Sequence, residues 1–243
     1  MLRRIVLASI DSTNRYVEEH KTELSLPTLV IGIQQRRGKG QGNNRWDSKK
    51  GDVTFTLLTS LGKINVASYF ILSQIVSLEI ISVLTEYGIQ ARIKWPNDIL
   101  VGLEKICGIL IQTHIGNGEF ESAAIGIGLN IVKRIKSPAH YNPPATSIMN
   151  LQNTLAVEPV SLAANLGERI LASINTYEPN QSQAIRAAYW KYLFRNQGVH
   201  PFLIKDQYCL ARILSVCNNG QLLLQDEQGK EYQCSFKEAK FIF

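Results

Sequence analysis

The sequence predicts an α+β fold, with a strand-and-helix part over residues 1–196 and a small β-barrel over residues 197–243. One sign is the pair of β-branched, apolar runs at 28–35 and 53–60, set beside an apolar segment of helix length at 66–87. A second is the change of character at Gly198, after which only short alternating runs occur between Asn-Asn-Gly and Gln-Gly turns. The third is size: 243 residues, 45% of them hydrophobic, suffice for one substantial core and a small appendage.

The elements follow in order. Residues 3–8 read as a short strand, and Asp11 or Ser12 can cap the helix that begins in STNRYVEEHK by accepting a free backbone N–H. Residues 28–35 form a buried strand that feeds the glycine-rich loop RRGKGQGNNRWDSKK, Arg36 to Lys50. VTFTLLTS (53–60) is the next strand, and the long helix 66–87 is stopped by Gly88. RIKW, ILVG and KICGILIQTHI are short strands, and Asn117-Gly118 marks a tight hairpin into EFESAAIGIGLN. Residues 130–157, rich in prolines and turn formers, read as a loop at the edge of an active site. Helices are expected near 160–176 and 181–194, followed by the barrel strands PFLIKD, YCLARILSV, QLLLQDE and KEYQCSF.

Charge is unevenly placed. The net +6 comes from 26 basic and 20 acidic residues, yet Arg36–Lys50 alone holds six bases against Asp47, or +5. That concentration favours an anionic ligand at one loop over a uniformly basic nucleic-acid coat. Cys107, Cys209, Cys217 and Cys234 form no C-x-x-C pair, and the four histidines lack metal-ligand spacing, which predicts a reduced cytoplasmic protein without structural zinc. The N-terminal apolar stretch is too short for a signal peptide, and Ser, Gln and Glu79 interrupt segment 66–88, so a buried helix is preferred to a membrane span.

Three motifs carry chemistry. In the loop, Gly38, Gly40 and Gly42 alternate with Lys39 and Gln41; no G-K-[ST] closes it, and a dinucleotide fingerprint fails at Asn43. By itself the loop is open to three uses: a phosphate grip, a nucleic-acid strip or a solvated turn. KWPNDIL (94–100) is a rigid turn at a strand end; Asn97 and Asp98 either point into a cleft or cap local N–H groups. Seven residues after Asp98 stands Lys105, alone on an apolar strand, facing an anion or simply lying at the edge. In GIGLN (126–130), the two glycines signal close approach of a ligand or a second backbone.

Together, DSTN (11–14), Q-x-x-G-K-G-Q (35–41), N-x-W (44–46), KWPND (94–98), KICGIL (105–110), GIGLN (126–130) and ATSI (145–148) resemble the biotin protein ligases. Order and spacing agree across residues 9–150, and KWPND followed by K-x-x-G-I-L is the most specific part. The resemblance implies a catalytic domain like that of class II aminoacyl-tRNA synthetases, a mixed sheet with helices, ending in an SH3-like β-barrel. It also implies a two-step activity: ATP-dependent formation of biotinyl-5′-AMP, then transfer of biotin to one lysine of a carrier domain.

By the same resemblance, Lys105, Lys39 and Asp98 are catalytic. Ser12, Thr13, Asn14, Gln35, Lys39, Gly40, Gln41, Lys105 and Gly108 bind biotin, while Trp46, Asn97 and Asn130 bind the nucleotide. Magnesium is expected with ATP, held largely by phosphates and water and with no protein metal site named. The implied partner is the biotin carboxyl carrier domain of acetyl-CoA carboxylase or a related biotin enzyme. No membrane is implied, and no DNA, since the chain leaves no room for the N-terminal winged helix of repressor-type members. Strand edges near 105–128 suit a homodimer.

The loop departs from the family pattern: Gln41 stands where an arginine is usual and Asn43 where a glycine is usual. Losing a bidentate cation there should weaken retention of the adenylate. Gln112 stands where many relatives have Glu, with no explanation in the sequence. The rival functions are a lipoate or octanoyl transferase of the same general fold, an RNA-binding module using the +5 loop with Trp46 for stacking, and an inactive relative.

Overall fold

The computed structural model describes residues 1–42, 44–133, 143–152 and 157–243. Asn43 and much of the expected 130–157 loop therefore lie outside the described residues. The chain opens with β1 (Arg3–Leu7), α1 (Thr13–His20) and β2 (Thr28–Gly32), and then a small hairpin of β3 (Gly38–Lys39) and β4 (Arg45–Trp46). β5 (Val53–Thr59), α2 (Phe70–Glu86), β6 (Arg92–Lys94), β7 (Asp98–Val101), β8 (Glu104–Gly116) and β9 (Glu119–Leu129) follow. Next come α3 (Ile148–Leu151), α4 (Pro159–Thr176) and α5 (Ser182–Tyr192). The C-terminal strands are β10 (His200–Ile204), β11 (Gln207–Val216), β12 (Leu222–Asp226), β13 (Glu231–Cys234) and β14 (Ala239–Phe241).

Seven strands form the main sheet in the order β1-β2-β5-β9-β8-β7-β6. β1 and β2 are parallel and every other pairing is antiparallel, so the sheet is mixed. β2 and β5 are buried along their whole length, which is why they read as continuous apolar runs. Asn117 and Gly118 both take positive φ, 53° and 80°, and turn β8 back into β9 as the dipeptide predicts.

The two faces of the sheet differ. Ile125, Ile127 and Leu129 of β9 enter the large core with α2 and α4, whereas Ala124 joins a smaller cluster with Val17, Val30 and Leu58 beneath α1. α2 is buried along most of its length, since it packs against both α4 and α5. Its start is later than the sequence predicts, because Asn65 caps a separate 3-10 turn at Val66–Ser68. No helix among the described residues is long and apolar enough to cross a membrane.

The C-terminal strands form an antiparallel sheet in the order β13-β12-β11-β10-β14. Its buried side chains, among them Phe202, Leu222 and Leu224, are continuous with the large core. Trp95, 1% exposed, is the anchor: its indole N–H donates to the Gly220 carbonyl at 2.8 Å, and Phe236 lies 5.5 Å away, centroid to centroid. The KWPND turn is thus fastened to the C-terminal sheet. Trp95→Phe keeps a ring but removes the donor, so it should lower stability by about 1–3 kcal/mol, read as a lower thermal midpoint.

Candidate active site

On the sheet face turned toward α1, cross-strand pairing puts Thr54, Gly128, Gly108 and Asp98 in one row and Thr56, Gly126 and Leu110 in the next. Three glycines at alternate positions strip this surface of side chains. Two residues from elsewhere lie directly on it. A methyl group on Gly126 would stand 1.9 Å from Asn14 Oδ1, and one on Gly128 would stand 2.2 Å from Cε2 of Trp46. Of the two explanations for GIGLN, close approach is the one the geometry selects.

At one end of this trough, Asp98 sits between two ammonium groups. Lys105 Nζ is 2.5 Å from its carboxylate and Lys94 Nζ is 3.0 Å away. Burial alone would raise the carboxyl pKa of Asp98, but Lys105 and then Lys94 overcome that and hold it below the ordinary value. Lys105 also lies 5.2 Å from the centroid of Trp46, and Lys94 lies 5.5 Å from that of Phe241, a residue of the C-terminal sheet. The backbone of Lys105 is pinned on both sides: its N–H donates to Pro144 at 2.7 Å, and Thr146 N–H donates to its carbonyl at 2.9 Å. ATSI is thereby stitched to KICGIL.

Asn97 and Asn130 serve as braces. Asn97 Nδ2 donates to the Ile109 carbonyl at 2.7 Å, locking the KWPND turn onto β8. Asn130 Nδ2 donates to the Thr146 carbonyl at 2.9 Å, joining the end of β9 to the ATSI segment. Cys107 lies nearby, but burial pushes its thiol pKa well up, so it supplies no thiolate nucleophile.

The other end of the trough is neutral and polar. Ser12 caps α1 by accepting from Arg15 N–H at 3.4 Å, which places Thr13 and Asn14 in the first turn, both buried. Gln35 Oε1 accepts from Thr13 N–H at 3.0 Å. Thr56 Oγ1 stands 2.9 Å from Thr13 Oγ1 and 3.0 Å from Asn14 Oδ1, while Asn14 Nδ2 reaches Gln112 Oε1 at 3.4 Å. Gln112, without explanation in the sequence, is a partner of Asn14.

The glycine-basic loop is a two-stranded hairpin, with Gly38 opposite Trp46 and Lys39 opposite Arg45. Gly40 N–H donates to the Asn44 carbonyl at 2.9 Å, closing it. The pairing brings Trp46 back over Gly108 and Gly128. Lys237, in the turn between β13 and β14, also reaches the loop: a methyl on Gly42 would stand 2.8 Å from its Nζ. A merely solvated turn has no such docking.

Thus Lys105, Asp98, Gly108 and Trp46 gather at one end, and Thr13, Asn14 and Gln35 at the other. Thr56, Lys94 and Lys237 were not singled out by the sequence, and Gln112 was noted there without a role. Thr56 had a signal, since threonines at 54 and 56 recur on one face of an otherwise apolar buried strand. Lys237 had none, lying far downstream of ATSI, the last motif.

Residues 6–130, just over half of the chain, match the family model described as the biotin/lipoate A/B protein ligase family. The bifunctional ligase/repressor BirA of Escherichia coli (strain K12) is 26% identical over 225 residues, which is 91% of this chain and 69% of that protein. The biotin–[acetyl-CoA-carboxylase] ligase of Paracoccus denitrificans is 27% identical over 179 residues, 71% of this chain and 74% of that protein. In fold, the biotin protein ligase of Aquifex aeolicus, solved with biotin and ATP, is similar at a TM-score of 0.79 and 18% identity, covering 98% of this chain and 97% of that one. The match runs from β1 to Asn130 and takes in the trough, both of its ends and the loop hairpin, so the chain belongs to the biotin/lipoate A/B protein ligase family.

Proposed function

We propose that this chain is an ATP-dependent biotin protein ligase. The observation that carries this best is the pairing of a cationic end, Lys105 with Asp98 and Lys94 under a basic hairpin, with a neutral, hydrogen-bonding end on the same glycine floor. A carboxylate and a triphosphate repel, so a site that joins them needs cations at the junction. A valerate-linked bicyclic urea needs donors and acceptors at its far end instead. The E. coli and Paracoccus relatives and the fold likeness to a ligase solved with biotin and ATP support the same reading.

In the first step the biotin carboxylate oxygen attacks the α-phosphate of ATP, forming biotinyl-5′-AMP and releasing pyrophosphate. Lys105 is assigned the acyl-phosphate junction, with Lys39, Gly40 and Gln41 closing over it and Gly108 beneath. Ser12, Thr13, Asn14 and Gln35 are assigned to biotin's head, and Trp46, Asn97 and Asn130 to the nucleotide side. In the second step the lysine amine of a carrier domain attacks the acyl carbon and AMP leaves. Held below the ordinary carboxylate range, Asp98 stores a proton poorly but accepts N–H bonds well, so it suits orienting that amine.

Magnesium is proposed to arrive on ATP. Among the described residues no three His, Cys, Asp or Glu side chains gather as a metal site, and Asp98 is already shared by two lysines, so no residue here is assigned to the ion. The acceptor is proposed to be the biotin carboxyl carrier domain of acetyl-CoA carboxylase or a related enzyme. Residues 1–196 are assigned to catalysis and 197–243 to a β-barrel unit. Two copies could pair along β8 beyond Gly108, the last residue that β7 covers.

The direct test is ATP–pyrophosphate exchange. Biotin should support it and lipoate should not; the reverse preference would overturn the assignment. Gln41 yields a second expectation. Gln41→Arg adds a charge-assisted contact at the acyl-phosphate and should slow loss of biotinyl-5′-AMP by about tenfold or more. Labelled adenylate escaping at an unchanged rate would contradict that role for position 41.

A further inference from the structure

We propose that Thr56, a residue too deep to touch substrate, sets the direction of hydrogen bonding at the neutral end of the trough and thereby the head group it accepts. The inference rests on the biotin reading above. The Leu110 carbonyl is a backbone acceptor and cannot be flipped. Asn14 Nδ2 faces the Leu110 carbonyl at 3.5 Å and Gln112 Oε1 at 3.4 Å. Turned the other way, Asn14 would set its own oxygen against the Leu110 carbonyl, whichever way the Gln112 amide lies. Its Oδ1 therefore points at Thr56, 3.0 Å away, and can only accept.

Thr56 has a single hydroxyl hydrogen and two candidate acceptors, Asn14 Oδ1 and Thr13 Oγ1 at 2.9 Å. Asn14 is 5% exposed and Thr56 fully buried, so leaving the amide oxygen without a donor is the costlier choice. Thr56 thus donates to Asn14, and its oxygen accepts the hydroxyl hydrogen of Thr13. Gln35 Oε1 lies 3.4 Å from Thr13 Oγ1 and competes for that hydrogen, but it is already served by Thr13 N–H at 3.0 Å, and the 2.9 Å contact with Thr56 is the shorter. With its hydrogen turned inward, the Thr13 oxygen is left as an acceptor.

An acceptor fixed in this way selects a ligand N–H. A cyclic urea has two N–H groups; a dithiolane has none. Thr56 is therefore a positioning residue for specificity, and the wiring runs Leu110, Asn14, Thr56, Thr13, substrate. Replacing Thr56 by valine keeps the shape and removes the hydroxyl that donates to Asn14 Oδ1.

The test measures biotin-dependent ATP–pyrophosphate exchange for wild type, Thr56→Val and Thr56→Ser, with biotin and with the two cyclic carbamate analogues in which oxygen replaces one ureido N–H. Thr56→Val should raise KM for biotin by about tenfold, with KM for ATP and kcat little changed, and Thr56→Ser should restore biotin binding. Wild type should reject at least one carbamate, and Thr56→Val should discriminate less. An unchanged KM for biotin in Thr56→Val, equal shifts for biotin and ATP, or a Thr56→Ser enzyme as impaired as Thr56→Val would each overturn the proposal. If melting shows that Thr56→Val does not fold, the wild-type comparison decides: both carbamates accepted as well as biotin means the polarity is wrong. Wild type failing to exchange with biotin at all would instead defeat the proposed function and leave the wiring of Thr56 aside.

Discussion

Lys105→Ala is expected to slow formation of biotinyl-5′-AMP by roughly 10²–10³-fold, the usual consequence of deleting one preorganised charge-stabilising group. The loss should be confined to chemistry. Asp98 keeps Lys94 at 3.0 Å, so the buried carboxylate is not stranded and the fold should persist. Lys105→Arg retains a cation but changes its reach and should recover only part of the rate. Pyrophosphate exchange measures the effect, and circular dichroism melting shows whether the fold is intact. A folded Lys105→Ala enzyme within about threefold of wild type would remove Lys105 from the acyl-phosphate junction.

The second large effect is steric. In Gly126→Ala the new methyl would fall 1.9 Å from Asn14 Oδ1. Neither side can yield easily, because β9 is paired on both edges and Asn14 is held by Thr56 and Gln112. Overpacking of this kind costs about 1–3 kcal/mol, and Asn14 must leave its place, so biotin affinity should fall at least tenfold or so. Combining Gly126→Ala with Asn14→Ala separates the two losses. Truncating Asn14 removes the clash, so the thermal midpoint should return toward wild type while biotin affinity, measured by calorimetry, stays low. Recovery of both would mean that Asn14 is only a spacer.

Strands and helices were legible wherever one physical signal dominated. The apolar runs at 28–35 and 53–60 contain the buried strands β2, which stops at Gly32, and β5, and Asn117-Gly118 turned as its positive φ values require. What escaped was set by pairing across the fold. β14, three residues long, exists through its register with β10, and α3 is a single turn capped by Ser147 inside a stretch that reads as loop. β3 and β4 are two residues each and are made by Gly38 and Lys39 finding Trp46 and Arg45.

The site divides in the same way. Lys105 and Asp98 belong to motifs, but their ion pair with each other was not read from the sequence. Lys94 was quoted within KWPND without a role, because only the folded turn shows that it shares Asp98 with Lys105. For Asn97 the sequence left open a cleft-facing group or a local turn partner, and its amide donates to the Ile109 carbonyl. Gln112 gains meaning only once β8 lies beneath α1 and brings it to Asn14. Side chains that act through a third residue leave little trace in a linear pattern, and Thr56 is the clearest instance.

The claim that joins these features is that one trough activates biotin at its cationic end and delivers it to a protein lysine. Transfer of labelled biotin to a purified biotin carboxyl carrier domain, with and without ATP, tests it most directly. Covalent label is expected on a single carrier lysine, dependent on ATP and nearly abolished in Lys105→Ala. Label that appears without ATP, or wild-type protein that leaves the carrier unlabelled when biotin and ATP are both supplied, would contradict it.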